Sequence, residues 1–94
     1  MEKCEFDNIE VIDGYFSGVA SIFDNKKRYI VDISYDIEFE KLQISNCTDA
    51  MYNSNMEKYD IKELEELKIR NYYALQRKIL DFIETNGNLV FADH

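Results

Sequence analysis

The stretch Tyr15–Glu40, YFSGVASIFDNKKRYIVDISYDIEFE, decides the fold. Apolar and polar residues alternate along most of it, as they do in strands buried on one face. The polar run Asp24-Asn25-Lys26-Lys27 interrupts the pattern and reads as a four-residue turn between two strands, Tyr15–Phe23 and Arg28–Glu40. That turn sets Phe23 opposite Arg28, Ile22 opposite Tyr29, Ala20 opposite Val31 and Phe16 opposite Tyr35. Upstream, Asp13-Gly14 is a two-residue type I′ hairpin signal. It pairs a strand over Phe6–Ile12 with the second, so that Ile12 faces Tyr15, Val11 faces Phe16 and Ile9 faces Gly18. Both registers put the same residues on one face: Ile9, Val11, Phe16, Ala20, Ile22, Tyr29, Val31, Ile33, Tyr35, Ile37 and Phe39. A one-residue slip inverts every side chain, so two independent registers that agree are evidence for the sheet. Gly18 falls on the buried face, where its missing side chain leaves room for a helix to approach.

The third strand is long for its domain. Thirteen residues span roughly 43 Å, against a diameter of roughly 30–35 Å for a chain of this size. Ile37–Ile44 must therefore bend, pair with something else or project. The slip in alternation between Phe39 and Leu42 reads as a bulge.

Beyond Ser45 the pattern changes. Ser45–Tyr59 is polar and Asn-rich, with room for a short helix from Asp49, capped by Thr48, that buries Met51 and Met56. Asp60 with Glu63 forms a capping box, and Tyr59 with Leu64 a hydrophobic staple. Ile61, Leu64, Tyr72, Leu75, Ile79, Phe82 and Ile83 then share one arc of a helical wheel. Gly87 is the expected residue after the helix end, and Leu89-Val90-Phe91 a short edge strand. The reading is a single α+β domain over residues 1–94: a three- to four-stranded antiparallel meander with one long C-terminal helix packed on one face.

Composition narrows the function. Nineteen acidic residues against eleven basic ones give a formal net charge of −8. A nucleic-acid binder needs Lys and Arg to dominate a face, so direct binding of DNA or RNA is not expected, nor is adhesion to anionic membranes. No apolar run approaches the roughly 20 residues that span a bilayer. Met1–Phe6 carries three charges and no hydrophobic run, so no secretory signal is expected. Two cysteines, Cys4 and Cys47, are too few for a disulfide scaffold, and a cytoplasmic location follows as the expectation. The single histidine, His94, is the last residue, so no Ser or Cys triad can be assembled around a positioned base. Soft ligands for a metal are lacking, and Gly14, Gly18 and Gly87 are too scattered for a phosphate loop. No cofactor, metal or enzymatic activity is expected.

One feature rises above this background. Asp32, Ser34, Asp36, Glu38 and Glu40 alternate with the apolar residues of the third strand, and the registers add Glu10, Tyr15 and Ser17 beside them. Such a row places successive side chains about 6.6 Å apart, close to two nucleotide steps of axial rise. Like charges on one face repel, so the row costs stability unless something uses it. A wet antiparallel face must nevertheless be polar, and solvation alone also accounts for such a row. In composition the chain resembles phage-encoded inhibitors of host defence systems: small, acidic, poor in cysteine, and rich in residues with AT-rich codons. That resemblance implies a non-catalytic inhibitor that imitates nucleic acid before a basic, nucleic-acid-binding protein partner. The alternative is an immunity protein or adaptor that binds a protein partner, or forms a homodimer, through the overhanging third strand.

Overall fold

The computed structural model describes residues 3–47 and 60–86. Four strands run in chain order across one antiparallel sheet: β1 (Lys3–Ile12), β2 (Tyr15–Asp24), β3 (Lys27–Asp36) and β4 (Lys41–Asn46). The helix α1 (Ile61–Thr85) packs on one face. This is the α+β meander and helix that the alternation and the capping signal predict.

The β2–β3 register is the predicted one throughout, from Phe16 opposite Tyr35 to Phe23 opposite Arg28. The turn is tighter than expected. Asp24 pairs with Lys27, leaving a two-residue loop of Asn25 and Lys26 with φ of 53° and 63°. Positive φ at both positions is the type I′ turn, whose twist matches that of the flanking strands.

In β1 the register holds from Ile12 to Glu10 and then shifts. Asp7 pairs with Val19 and Glu10 with Ser17, so three steps along β1 match two along β2. The extra residue is a bulge at Asn8 and Ile9, with Asn8 at φ 53°. It changes which residues point inward. Val11 and Ile9 face the core at odd numbers, and Phe6 and Cys4 face it at even ones. The bulge also corrects the expected role of Gly18. A Cβ there would collide with the Ile9 side chain and come within 3.0 and 3.1 Å of the Asp7 and Asn8 carbonyl oxygens. The bulged strand fills the space, not the helix.

The third strand is shorter than predicted. It ends at Asp36, the chain turns through 37–40, and β4 returns beside β3 with Asp36 opposite Lys41 and Val31 opposite Asn46. The expected bulge near Phe39 is this turn, and the overhang is paired within the chain. β3 is thus an inner strand bonded on both sides, which removes the free edge on which self-association through it relied. Ile37 still packs against the core, but Phe39 points to solvent instead of inward.

Phe16, Ile33, Leu75 and Ile79 are buried in one core, as expected. Phe6, Phe16 and Phe82 meet edge to face with centroids 5.6–5.8 Å apart, joining β1, β2 and α1. The inner face of α1 is rotated from the predicted arc. Leu64, Leu67, Asn71, Leu75 and Ile79 are buried, whereas Ile61 is exposed. Asp60 caps the helix as predicted, accepting from the Glu63 amide at 2.8 Å. At the other end the Asn86 amide donates to the Phe82 carbonyl at 2.9 Å. The expected short helix after Thr48, the staple residue Tyr59, Gly87 and the Leu89–Phe91 strand lie outside the described residues.

Candidate functional site

Two turns build the acidic end of the sheet. Asp13 and Gly14, at φ 54° and 82°, make the β1–β2 turn. The β3–β4 turn is shaped by Asp36, whose Oδ1 accepts from the Glu38 and Phe39 amides, both at 3.1 Å. A side chain that bonds the backbone two and three residues on is the reason Asp starts so many turns. Glu40 closes this one at φ 55°. The Ile37 amide donates to the Gly14 carbonyl at 3.0 Å, which stitches the two turns together.

The expected row along one strand is therefore not what forms. Asp32 and Asp36 lie on the outer sheet face, with Ser34 between them. Glu38 and Glu40 sit in the turn, exposed, and do not share that face. Tyr15 stands beside Asp36, which in turn faces Lys41 across the next strand. Glu10 lies one ladder step in, opposite Ser17. Asp32 is the outlier: four residues before Asp36, or about 13 Å along the strand, flanked by Val19 and Ser45. The turns bring Glu10, Tyr15, Asp36, Glu38 and Glu40 to one end and leave Asp32 near the middle.

Sequence reasoning missed other members of this end. Asp13 joins the acidic group through its turn, and Ile12 and Phe39 are exposed there, Phe39 at 67%. Phe39 is hidden because the alternation through Ile37-Glu38-Phe39-Glu40 assigns it to the inward face of the third strand, and Ile12 because it reads only as a strand end. Exposed apolar groups with a charged rim are the usual anatomy of a protein-binding patch. Behind Tyr15 lies a notch of about 150 Å³, bordered by Ser34, Asp36, Lys41 and Gln43.

The opposite end is chemically different. Lys3 and Arg28 flank the Phe23 ring at 5.6 and 5.7 Å, Lys3 pairs with Glu5 at 2.8 Å, and Arg28 donates to the Ser21 hydroxyl at 3.2 Å. The β2–β3 turn is clamped to the helix. Asp24 accepts from Arg70 Nε and a guanidinium NH₂ at 3.0 and 2.9 Å, and from Asn71 Nδ2 at 3.1 Å. Burial alone would push the Asp24 carboxyl up, but the bonds from Asn71 and Arg70 and the Arg70 charge together hold it below the usual range. Lys27 donates to Glu63 at 2.9 Å, and this bond is the main reason the Glu63 carboxyl also lies low. Asn71, buried, donates to the Leu67 carbonyl as well, while its Oδ1 has no partner among the described residues.

A groove of about 460 Å³ follows β4, bordered by Leu42, Ile44, Lys68 and Tyr72 among others. There the Tyr72 hydroxyl accepts from the Leu42 amide at 3.2 Å and so occupies part of the outer edge of the last strand. The Cys4 thiol is pushed up to about 11, chiefly by burial, which makes it a poor nucleophile. Among the described residues no three His, Cys, Asp or Glu side chains come together in a way that could hold a metal. No helix among them is long and apolar enough to cross a membrane. No known protein family matches the chain, and no curated protein or solved structure resembles it.

Proposed function

We propose that this protein is a non-catalytic, cytoplasmic inhibitor that binds a basic, nucleic-acid-handling protein through the acidic end of its sheet. The observation that carries the reading is the convergence of Glu10, Asp13, Asp36, Glu38 and Glu40 around exposed Ile12, Tyr15 and Phe39. The carboxylates would enter a groove built for phosphates, and the three apolar residues would supply the desolvated centre that holds the complex. A net charge of −8 steers such an encounter and keeps the chain itself off nucleic acid. A phage origin, with a host defence protein as the target, fits this chemistry and the composition.

The test reverses charges that the fold does not use. Glu10→Lys/Glu38→Lys/Glu40→Lys leaves Asp36 in place, because Asp36 holds its turn. Immobilised wild-type chain should retain a protein that either double-stranded DNA or a rise in salt releases, and the triple variant should retain none. Retention by the variant within a few-fold of wild type overturns the reading. It would favour instead an immunity protein or adaptor whose contact lies elsewhere.

A further inference from the structure

We propose that the free face of α1 pairs two copies of this chain into an antiparallel, two-fold dimer. The face carries a second apolar stripe. Ile69, Tyr73 and Leu80 fall within an arc of about 40° on the side of the helix turned away from the buried row. Ile69 is 79% exposed and Tyr73 81%, so the sheet does not cover them. A helix with one apolar stripe in the core and another in solvent has one more face than its own fold needs.

The surface between these residues is shaped for a side chain. Tyr73, Gln76, Arg77, Leu80 and Asp81 border a notch of about 350 Å³. The first four, spaced i, i+3, i+4 and i+7, are placed like the four residues that receive one knob from a facing helix, and Asp81 lies at its rim beside Arg77.

Charge chooses the partner and its direction. With two helices antiparallel and Tyr73 on the two-fold axis, Ile69 of one copy comes opposite Arg77 of the other and drops into that notch. The same register sets Lys62 opposite Glu84. It brings Glu66 within three residues of the other copy's Arg77, about 4.5 Å along the axis. Each contact occurs twice by symmetry. A parallel pair would set Glu66 against Glu66 and Arg77 against Arg77. Arg70, the other base on that flank, is held by Asp24 at 2.9 Å and does not compete. Glu66 reaches Arg70 only at 3.9 Å, so it is lightly held. The helix is thus complementary to its own reverse. The acidic end of the sheet takes no part in these contacts, so the dimer would carry two copies of it.

Sedimentation of the full chain at physiological salt, where the repulsion of net charge is screened, measures this directly. One helix pair is a small interface, so association in the micromolar range is expected. Tyr73→Glu should weaken it at least tenfold. Glu66→Arg and Arg77→Glu should each weaken it, and the double variant should return to within a few-fold of wild type. In a second readout, Tyr73→Cys should cross-link to its own copy on mild oxidation while Ala74→Cys, exposed one position away, should not. Cys4 and Cys47 should stay silent, the first by its raised pKa and the second by burial. A clean monomer at high micromolar concentration overturns the proposal. So does a dimer that survives Tyr73→Glu, or equal cross-linking at residues 73 and 74. None of these outcomes bears on the acidic end, whose own test is separate.

Discussion

The two ends of the sheet hold their charges in different ways. At the β2–β3 end the charges are tied to one another and to the helix: Asp24 to Arg70 and Asn71, Lys27 to Glu63, Lys3 to Glu5. At the other end Asp36 serves its own turn, while among the described residues no ion pair engages Glu10, Glu38 or Glu40. One end uses charge to position α1. The other exposes it beside apolar side chains that nothing in the described fold covers. Charge that the fold consumes is structural, and charge that it leaves exposed at some electrostatic cost is the better candidate for a partner.

The largest effect is expected at the bulge. Gly18→Ala drives a Cβ toward Ile9 and two backbone oxygens, so β1 must shift as a strand. A loss of about 3 kcal/mol is expected, at the upper end of overpacking costs, and urea denaturation measures it. A near-neutral result would mean that β1 slips freely. The faces of Phe6 and Ile9, and with them the place of Glu10, would then not be fixed.

Next comes the clamp. Asp24→Ala leaves Asn71 and Arg70 without their shared acceptor, at a cost of about 2 kcal/mol. The pH dependence carries the same information. A carboxyl held low in the native state binds a proton more weakly there than in the unfolded chain. Its stabilisation is therefore fully present above the unfolded value of about 3.9 and is lost as pH falls through the native value. Wild type should lose stability on acidification through that range more steeply than Asp24→Ala. Parallel curves would show that the clamp is not what ties charge to fold at this end.

How much of this was legible in the sequence depends on the range of the cause. The β2–β3 register was fully legible, since one polar run between two alternating segments fixes it. The bulge was missed although its trace is there: Cys4 and Phe6 against Ile9 and Val11 is a change of phase within one strand. The end of β3 was obscured because Ile37-Glu38-Phe39-Glu40 continues the strand's alternation into a turn. Asp36 bonding ahead to Glu38 and Phe39 overrides that pattern locally. Leu67 and Asn71 were left off the inner face of α1 because a polar residue at 71 masks the row; its bond to Asp24 depends on residues 47 positions apart. The acidic group itself was legible as residues but not as a place. The bond from Ile37 to Gly14 that gathers two turns into one end has no local signature.

Asp36 divides the two kinds of charge, and a single substitution separates them. Asp36→Ala removes the acceptor for two amides and should cost about 1 kcal/mol, whereas Asp36→Asn keeps that oxygen and should cost less. If both variants are equally destabilised, the carboxylate acts through its charge toward Lys41, and the account of the turn is wrong.

The smallest effect on stability is the most informative about function. Glu10→Lys/Glu38→Lys/Glu40→Lys removes no side-chain hydrogen bond or ion pair found among the described residues and keeps the Glu38 backbone amide that Asp36 holds, so its stability should stay within about 0.5 kcal/mol of wild type. Any change should be a gain, because three like charges leave a crowded acidic end. That gain should shrink in high salt, where screening removes the repulsion in the parent as well. A loss above about 1 kcal/mol would show that these carboxylates support the fold after all. The contrast between the two ends would then fail, and with it the reason for taking this end as a binding surface. Stability held or raised while partner binding disappears is the combination that only an exposed, functional carboxylate group predicts, since a solvated face loses nothing by reversal and a structural one cannot be reversed without damage.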